Sequence, residues 1–243
     1  MGIVFRPIGT KGGALVSDSD DPRKVYAGYG DGVRVWSLKP GLPCDDTTLR
    51  PDEFINTLGG TSPITRGVAA GYPLLVTTGG TDYNGVNMQL AGEYGKLAAG
   101  QDVYVRGKIK LSVDLQADLL FGLAELKADL LNTTGSHAVT STVVAGVFFH
   151  HAAHASDKTI YVKAYASGAV ATSIAVGTLG TDDIDYALWW DGGKVHAYLN
   201  GVQVAEFAGT LPAGELTLSL NVRTGAAAAV TASIAEMSFA TAD

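Results

Sequence analysis

The stretch Tyr186-Ala187-Leu188-Trp189-Trp190-Asp191-Gly192-Gly193-Lys194-Val195-His196-Ala197-Tyr198-Leu199-Asn200-Gly201-Val202-Gln203-Val204-Ala205 decides the fold. Asp-Gly and Asn-Gly supply the positive φ angles that tight hairpins require, and here they separate three short β-like runs. Three sequential antiparallel strands are the expected outcome. In the second strand Val195, Ala197 and Leu199 share one face, while His196 and Tyr198 share the other. Trp189 stands opposite in phase to Leu188 and Trp190, so an outward aromatic strip of Trp189, His196 and Tyr198 is a candidate surface; because large aromatics more often pack than project, coverage of both faces, by the partner sheet and the N-terminal arm, is the competing and favoured reading.

The same period of two runs outward in both directions. Val103, Val105, Ile109 and Leu111 fall on one face of Val103–Leu111, with Tyr104, Arg106, Lys108 and Lys110 on the other. Leu216–Arg223 repeats the pattern, and Ile160, Val162 and Ala164 alternate with Tyr161, Lys163 and Tyr165. Near the C-terminus one phase holds through Val230, Ala232 and Ile234 and resumes out of step at Met237 and Phe239, which predicts a bulge near Glu236. The segment from Asp118 to Leu131 reads as strand, then loop. About eleven strands at this spacing, with no convincing long helix, predict an all-β sandwich or jelly roll over residues 86–243.

Residues 1–85 have a different grammar. Six of the eight prolines lie before Ile64, at positions 7, 22, 40, 43, 51 and 63, among Gly-rich and acidic clusters. An extended, mostly irregular arm is expected there. Pro51 and two acids ahead of Phe54-Ile55, with Gly59 just beyond, predict one short helix near 51–58. Val33–Trp36 and Leu74–Val76 could each be a short strand.

Composition narrows the function. The chain has 243 residues and a formal net charge of -7, with 17 Lys+Arg against 24 Asp+Glu and no basic cluster, so a nucleic-acid surface and a basic membrane face are not expected. Cys44 is the single cysteine, which removes an intrachain disulfide framework and any cysteine-based zinc site. No stretch has signal-peptide or membrane-spanning length, which makes a soluble product of a reducing cytoplasm the expectation.

The strands and turns of Tyr186–Phe207, together with the Val103–Phe121 pair, resemble the hairpins of concanavalin A-like (laminin G-like) jelly rolls over about residues 86–240. In style, with low charge and much Gly, Ala, Thr and Val behind a long arm, the chain is similar to virion structural proteins of tailed bacteriophages. That resemblance implies a non-enzymatic capsid decoration (cement) protein, made in the host cytoplasm and carried on the capsid surface. The implied partners are the major capsid protein and neighbouring copies of itself, as homo-oligomers such as trimers. Tyr26, Val35, Trp36, Phe54 and Ile55 would be apolar anchors of the arm, with Arg6, Arg23 and Arg34 at the rim. The alternative is a carbohydrate-binding module of a fibre or spike, using Trp189, His196 and Tyr198.

Catalytic and metal chemistry find little footing. The Glu-x-Asp-x-x-Glu and Glu-x-Asp-x-Glu strings of related glucanases are missing, and Glu206 and Glu236 are isolated acids in strand-like surroundings. His150, His151 and His154 form the only dense histidine string; without an evident further ligand, a surface cluster at a strand end is the expected reading. No cofactor and no metal are expected.

Overall fold

The computed structural model describes residues 33–38, 54–60, 62, 64–65, 72, 74–92, 95–131, 137–139, 145–153 and 156–242, with the backbone alone described at 33–38, 65 and 242. Sixteen strands lie among these described residues: β1 (Val33–Leu38), β2 (Phe54–Gly59), β3 (Ile64–Thr65), β4 (Leu74–Thr77), β5 (Gly85–Leu90), β6 (Gly95–Lys96), β7 (Asp102–Leu111), β8 (Ala117–Ala124), β9 (Ala145–His151), β10 (Thr159–Ala166), β11 (Ala169–Thr178), β12 (Ile184–Trp190), β13 (Val195–Leu199), β14 (Val202–Phe207), β15 (Glu215–Thr224) and β16 (Thr231–Ala242). There is no helix among the described residues.

Two antiparallel sheets form the sandwich. The first runs β14-β13-β12-β7-β16-β4-β3, with β1 joined to the far half of β16; the second runs β11-β10-β9-β8-β15-β5-β2, with β6 on the start of β15. The hairpins at Asp191-Gly192-Gly193 and Asn200-Gly201 join β12, β13 and β14 as the turn residues require, with Asn200, Gly192 and Gly201 all at positive φ.

Alternation puts the apolar set between the sheets. Val103, Val105, Ile109 and Leu111 of β7 are buried against residues of the facing sheet that include Leu119, Phe121 and Leu123 of β8 and Leu218, Leu220 and Val222 of β15. One glycine is dictated by this packing. A Cβ on Gly107 would lie 2.5 Å from the Phe121 ring, so the bare backbone of β7 is what admits that ring. Phe121 packs tilted against Tyr186 at 6.1 Å, and Phe149 meets Tyr186 edge-on at 5.2 Å.

The expected slip near Glu236 is present, as a shift of register between Ile234 and Glu236 where β16 pairs with β7. Asp118–Leu131 is strand β8 followed by loop. The short helix near 51–58 is corrected: Phe54–Gly59 is strand β2, paired with β5 from Phe54 opposite Leu90 to Gly59 opposite Gly85. Pro51 and Gly59 are local helix signals, yet a helix here would have no partner, whereas the strand buries Phe54 in the core and gains the hydrogen bonds of a neighbouring strand. The short strands expected at Val33–Trp36 and Leu74–Val76 are β1 and β4, and with β2 and β3 they bring the segment before residue 86 into the two sheets.

Truncating Phe121 to Ala removes the ring from a fully enclosed site. We expect Phe121→Ala to lower unfolding free energy by about 3–5 kcal/mol, read as a reduced urea midpoint at unchanged slope.

Candidate functional site

The outer faces of the two sheets differ, and the difference locates the site. On the second sheet, Asn87 Nδ2 donates to the carbonyls of Lys127 and Ala128 at 2.8 and 2.9 Å, Gln89 Nε2 donates to the carbonyl of Glu125 at 2.8 Å, and Gln89 Oε1 accepts from the Lys127 N–H. Leu130, Leu131 and Val139 pack onto Leu120, Phe148 and Tyr165. The segment after β8 therefore closes much of this face by itself.

The outer face of the first sheet carries the aromatic and charged side chains in ranks set by register. In the first rank His196 of β13 lies between Glu206 of β14 and Trp189 of β12, and Trp189 lies beside Tyr104 of β7. The Trp189 and His196 rings stack, with centroids 4.8 Å apart and planes 25° from parallel. In the next rank Ala187 lies between Tyr198 and Arg106, and in the third Asp185 lies beside Lys108, which pairs across to Glu236. Trp189 and Tyr198 are half-buried and His196 is 9% exposed. Trp189, His196 and Tyr198 thus share the outer face of the first sheet, with His196 the most enclosed of the three.

Arg106 closes one end of this face. Its Nε donates to Asp185 Oδ1 at 2.9 Å and its Nη2 to Oδ2 at 2.7 Å, while Nη1 lies 3.6 Å from Glu236 Oε1. Such a fork matches a carboxylate in two places at once. Asp185 and Glu236 are therefore charge partners of one guanidinium.

The opposite end is built differently. Asp191 Oδ1 accepts the Gly193 and Lys194 N–H groups at 2.9 and 2.7 Å, which fixes the hairpin turn, and Asp191 Oδ2 lies 2.8 Å from His196 Nε2. Burial would raise the Asp191 carboxyl, but the hydrogen bonds from His196, Lys194 and Gly193 hold it below its usual range. Glu206 is salt-bridged to Lys194 and lies 3.4 Å from His196 Nδ1. Asp102, at the start of β7, is pushed up to about 6, first by burial and then by the nearby Asp191 charge, against a lowering contribution from Trp189. Asp102 and Tyr104 had no flag in the sequence, because their surroundings come from strands some 85 to 90 residues away in the chain.

The histidine string is corrected. His150 and His151 are each 1% exposed and stand on a strand, where neighbours point to opposite faces. His150 Nδ1 lies 2.9 Å from Lys163 Nζ, and His151 Nδ1 lies 3.1 Å from the Thr159 carbonyl. His154 lies outside the described residues, and no group of three metal-ligating side chains occurs among those described. Of the arm anchors, Arg6, Arg23 and Tyr26 also lie outside them. Arg34, Val35 and Trp36 belong to β1, whose backbone pairs with β16. Phe54 is corrected from contact residue to core residue, at 3% exposure, while Ile55 beside it is 44% exposed.

The raised Asp102 gives a pH signature. Its folded pKa exceeds that of the unfolded chain, so the folded state binds the extra proton and stability falls as pH rises from about 4 through about 6. Asp102→Asn removes this loss: relative to the parent, its Tm should gain more at pH 7.5 than at pH 4, checked by parallel thermal melts.

No protein-family model matches the sequence, and no curated protein matches it in sequence. Solved structures do match in shape. The Emp47p carbohydrate recognition domain superposes with a TM-score of 0.58 at 9% identity, covering 84% of this chain and 93% of that one. A prokaryotic β-1,3-1,4-glucanase (lichenase) derived from a mouse hindgut metagenome gives 0.57 at 11% identity, covering 84% and 98%. The VIP36 exoplasmic/lumenal domain in its Ca2+/Man-bound form gives 0.51 at 9% identity, covering 76% and 82%. These likenesses include lectin-like domains and a glucanase, and at such identities they establish architecture: the chain is an all-β sandwich with the concanavalin A-like jelly-roll fold.

Proposed function

We propose that the protein binds carbohydrate, without cleaving it, on the outer face of its first sheet at Trp189. The observation that carries this reading is the stacked Trp189–His196 pair, with Tyr198 one rank away and carboxylates along its margin. A sugar ring offers an apolar C–H face and a rim of hydroxyls. An indole can accept the first, and Asp102, Asp191 and Glu206 are acceptors for the second. The carbohydrate recognition domains named above lend this support at the level of fold. Arg106 is the reason for preferring binding over hydrolysis, because it engages both Asp185 and Glu236.

A capsid-decoration role, expected from compositional style, draws no support from these likenesses. A setting in a fibre or spike, and assembly into homo-oligomers, remain part of the proposal and rest on the resemblance in style to virion structural proteins.

The test is a glycan-array screen followed by calorimetric titration of the best oligosaccharide. Trp189→Ala should weaken binding at least about tenfold while the thermal melt stays cooperative. Undiminished binding by Trp189→Ala overturns the assignment of the site. Release of new reducing ends from the bound oligosaccharide overturns the non-catalytic part of the reading.

A further inference from the structure

We propose that Lys163 is a nucleophilic lysine that takes up aromatic aldehydes as imines, on the outer face of the second sheet and independently of the Trp189 platform.

On β10, Ile160, Val162 and Ala164 belong to the core, so Tyr161, Lys163 and Tyr165 stand on the outer face. Register places Lys163 between Phe148 of β9 and Ser173 of β11, and sets Tyr161 opposite His150. The Phe148 and Tyr165 rings stack at 5.6 Å, and Lys163 Nζ lies 5.5 Å from the centre of the Tyr161 ring. The half-buried lysine therefore has an aromatic surround. Its hydrogen-bond partner is His150 Nδ1, 2.9 Å from Nζ, and no Asp or Glu among the described residues pairs with it. The segment after β8 brings Leu130, Leu131 and Val139 to Phe148 and Tyr165, while its acids Glu125 and Asp129 are paired with Lys127 and Arg223.

The imidazole decides which nitrogen holds the proton. His150 is 1% exposed, and its Nε2 is buried with no hydrogen-bond partner. If Lys163 were an ammonium, Nδ1 would have to accept from it, the ring hydrogen would sit on Nε2, and a buried N–H would be orphaned. With the hydrogen on Nδ1, Nε2 keeps only a lone pair and Lys163 becomes the acceptor, which requires a free amine. Charging the imidazole instead is opposed by its burial and by the charge of Lys163. Burial also holds the Lys163 ammonium below the ordinary lysine range. Hydrogen bonding and desolvation thus favour the same form.

A desolvated free amine is a nucleophile toward carbonyl carbon. Rotation of the lysine terminus releases its lone pair, which attacks the aldehyde carbon while the C=O π pair moves to oxygen. A proton passes from nitrogen to that oxygen to give a carbinolamine, and loss of water leaves the imine. Phe148, Tyr161 and Tyr165 offer ring faces and edges to an aldehyde carried on an aromatic group.

The test uses full-length protein, benzaldehyde as the probe and sodium cyanoborohydride to reduce the imine to a stable secondary amine, with peptide mass spectrometry reading the rate at each lysine. Lys96, exposed on β6, is the internal reference. At pH 7.5 Lys163 should be labelled at least about tenfold faster than Lys96, and the ratio should fall below about twofold by pH 10, where an ordinary lysine also begins to lose its proton. A ratio that stays constant across this range reports accessibility alone and overturns the proposal, as does labelling of Lys163 no faster than Lys96 at pH 7.5. His150→Leu should cut the ratio at pH 7.5 at least about fivefold, and an unchanged ratio overturns the role given to His150. The pH profile needs only the parent protein, so it decides between these outcomes even where His150→Leu fails to fold.

Discussion

The placement of the Phe121 ring in the space that Gly107 leaves open governs the rest of the structure. Tyr186 and Phe149 close on the same spot, so β7 and β12 of one sheet and β8 and β9 of the other meet at one aromatic cluster. Side chains alternate along a strand, and fixing Gly107 inward therefore fixes Asp102, Tyr104 and Arg106 outward. The same holds on β12, where Tyr186, Leu188 and Trp190 point in and Trp189 points out. Trp190 is further held by its indole N–H, which donates to the Ala98 carbonyl at 2.9 Å. The outer aromatic surface is in this sense a by-product of the core. A one-residue slip of β12 would bury Trp189 and expel Trp190.

The β16 irregularity has a similar dual role. Ile234 and Met237 both lie in the core, which strict alternation over three residues does not allow. The shift of register at Ile234/Glu236 restores both to the inside and sets Glu236 on the outer face, where it reaches Arg106. A backbone irregularity thus supplies one of the two acids that hold the guanidinium. Pairing a buried arginine with acids from two strands gives little net stability, but it holds the charge in one orientation and keeps it away from the Trp189 end.

What could be read beforehand followed from how local the determinants were. The hairpins at Asp191 and Asn200 and the outward phase of Trp189 and His196 rest on neighbours within a few residues, and the sequence displays them. The bulge at Glu236 was visible because it breaks a pattern. β2 was misread because Pro51 and Gly59 speak for a helix locally, whereas the partner that makes it a strand is β5, some 30 residues on. His150 and His151 were read as surface groups, yet Thr159 and Lys163 enclose them from the next strand. The character of Asp102 was out of reach altogether, because it depends on a carboxylate that arrives from the β12–β13 turn.

The connectivity of the first sheet also bears on how the molecule is made. β16 lies at its centre, touching β7 on one side and β4 and β1 on the other, so segments at positions 33–38, 74–77 and 102–111 all await residues 231–242. Pairings so distant in sequence form slowly, since long loops must close before any contact rewards them. Until β16 is made, β7 of that sheet has an open edge beside an apolar face, the kind of surface on which unfinished chains associate.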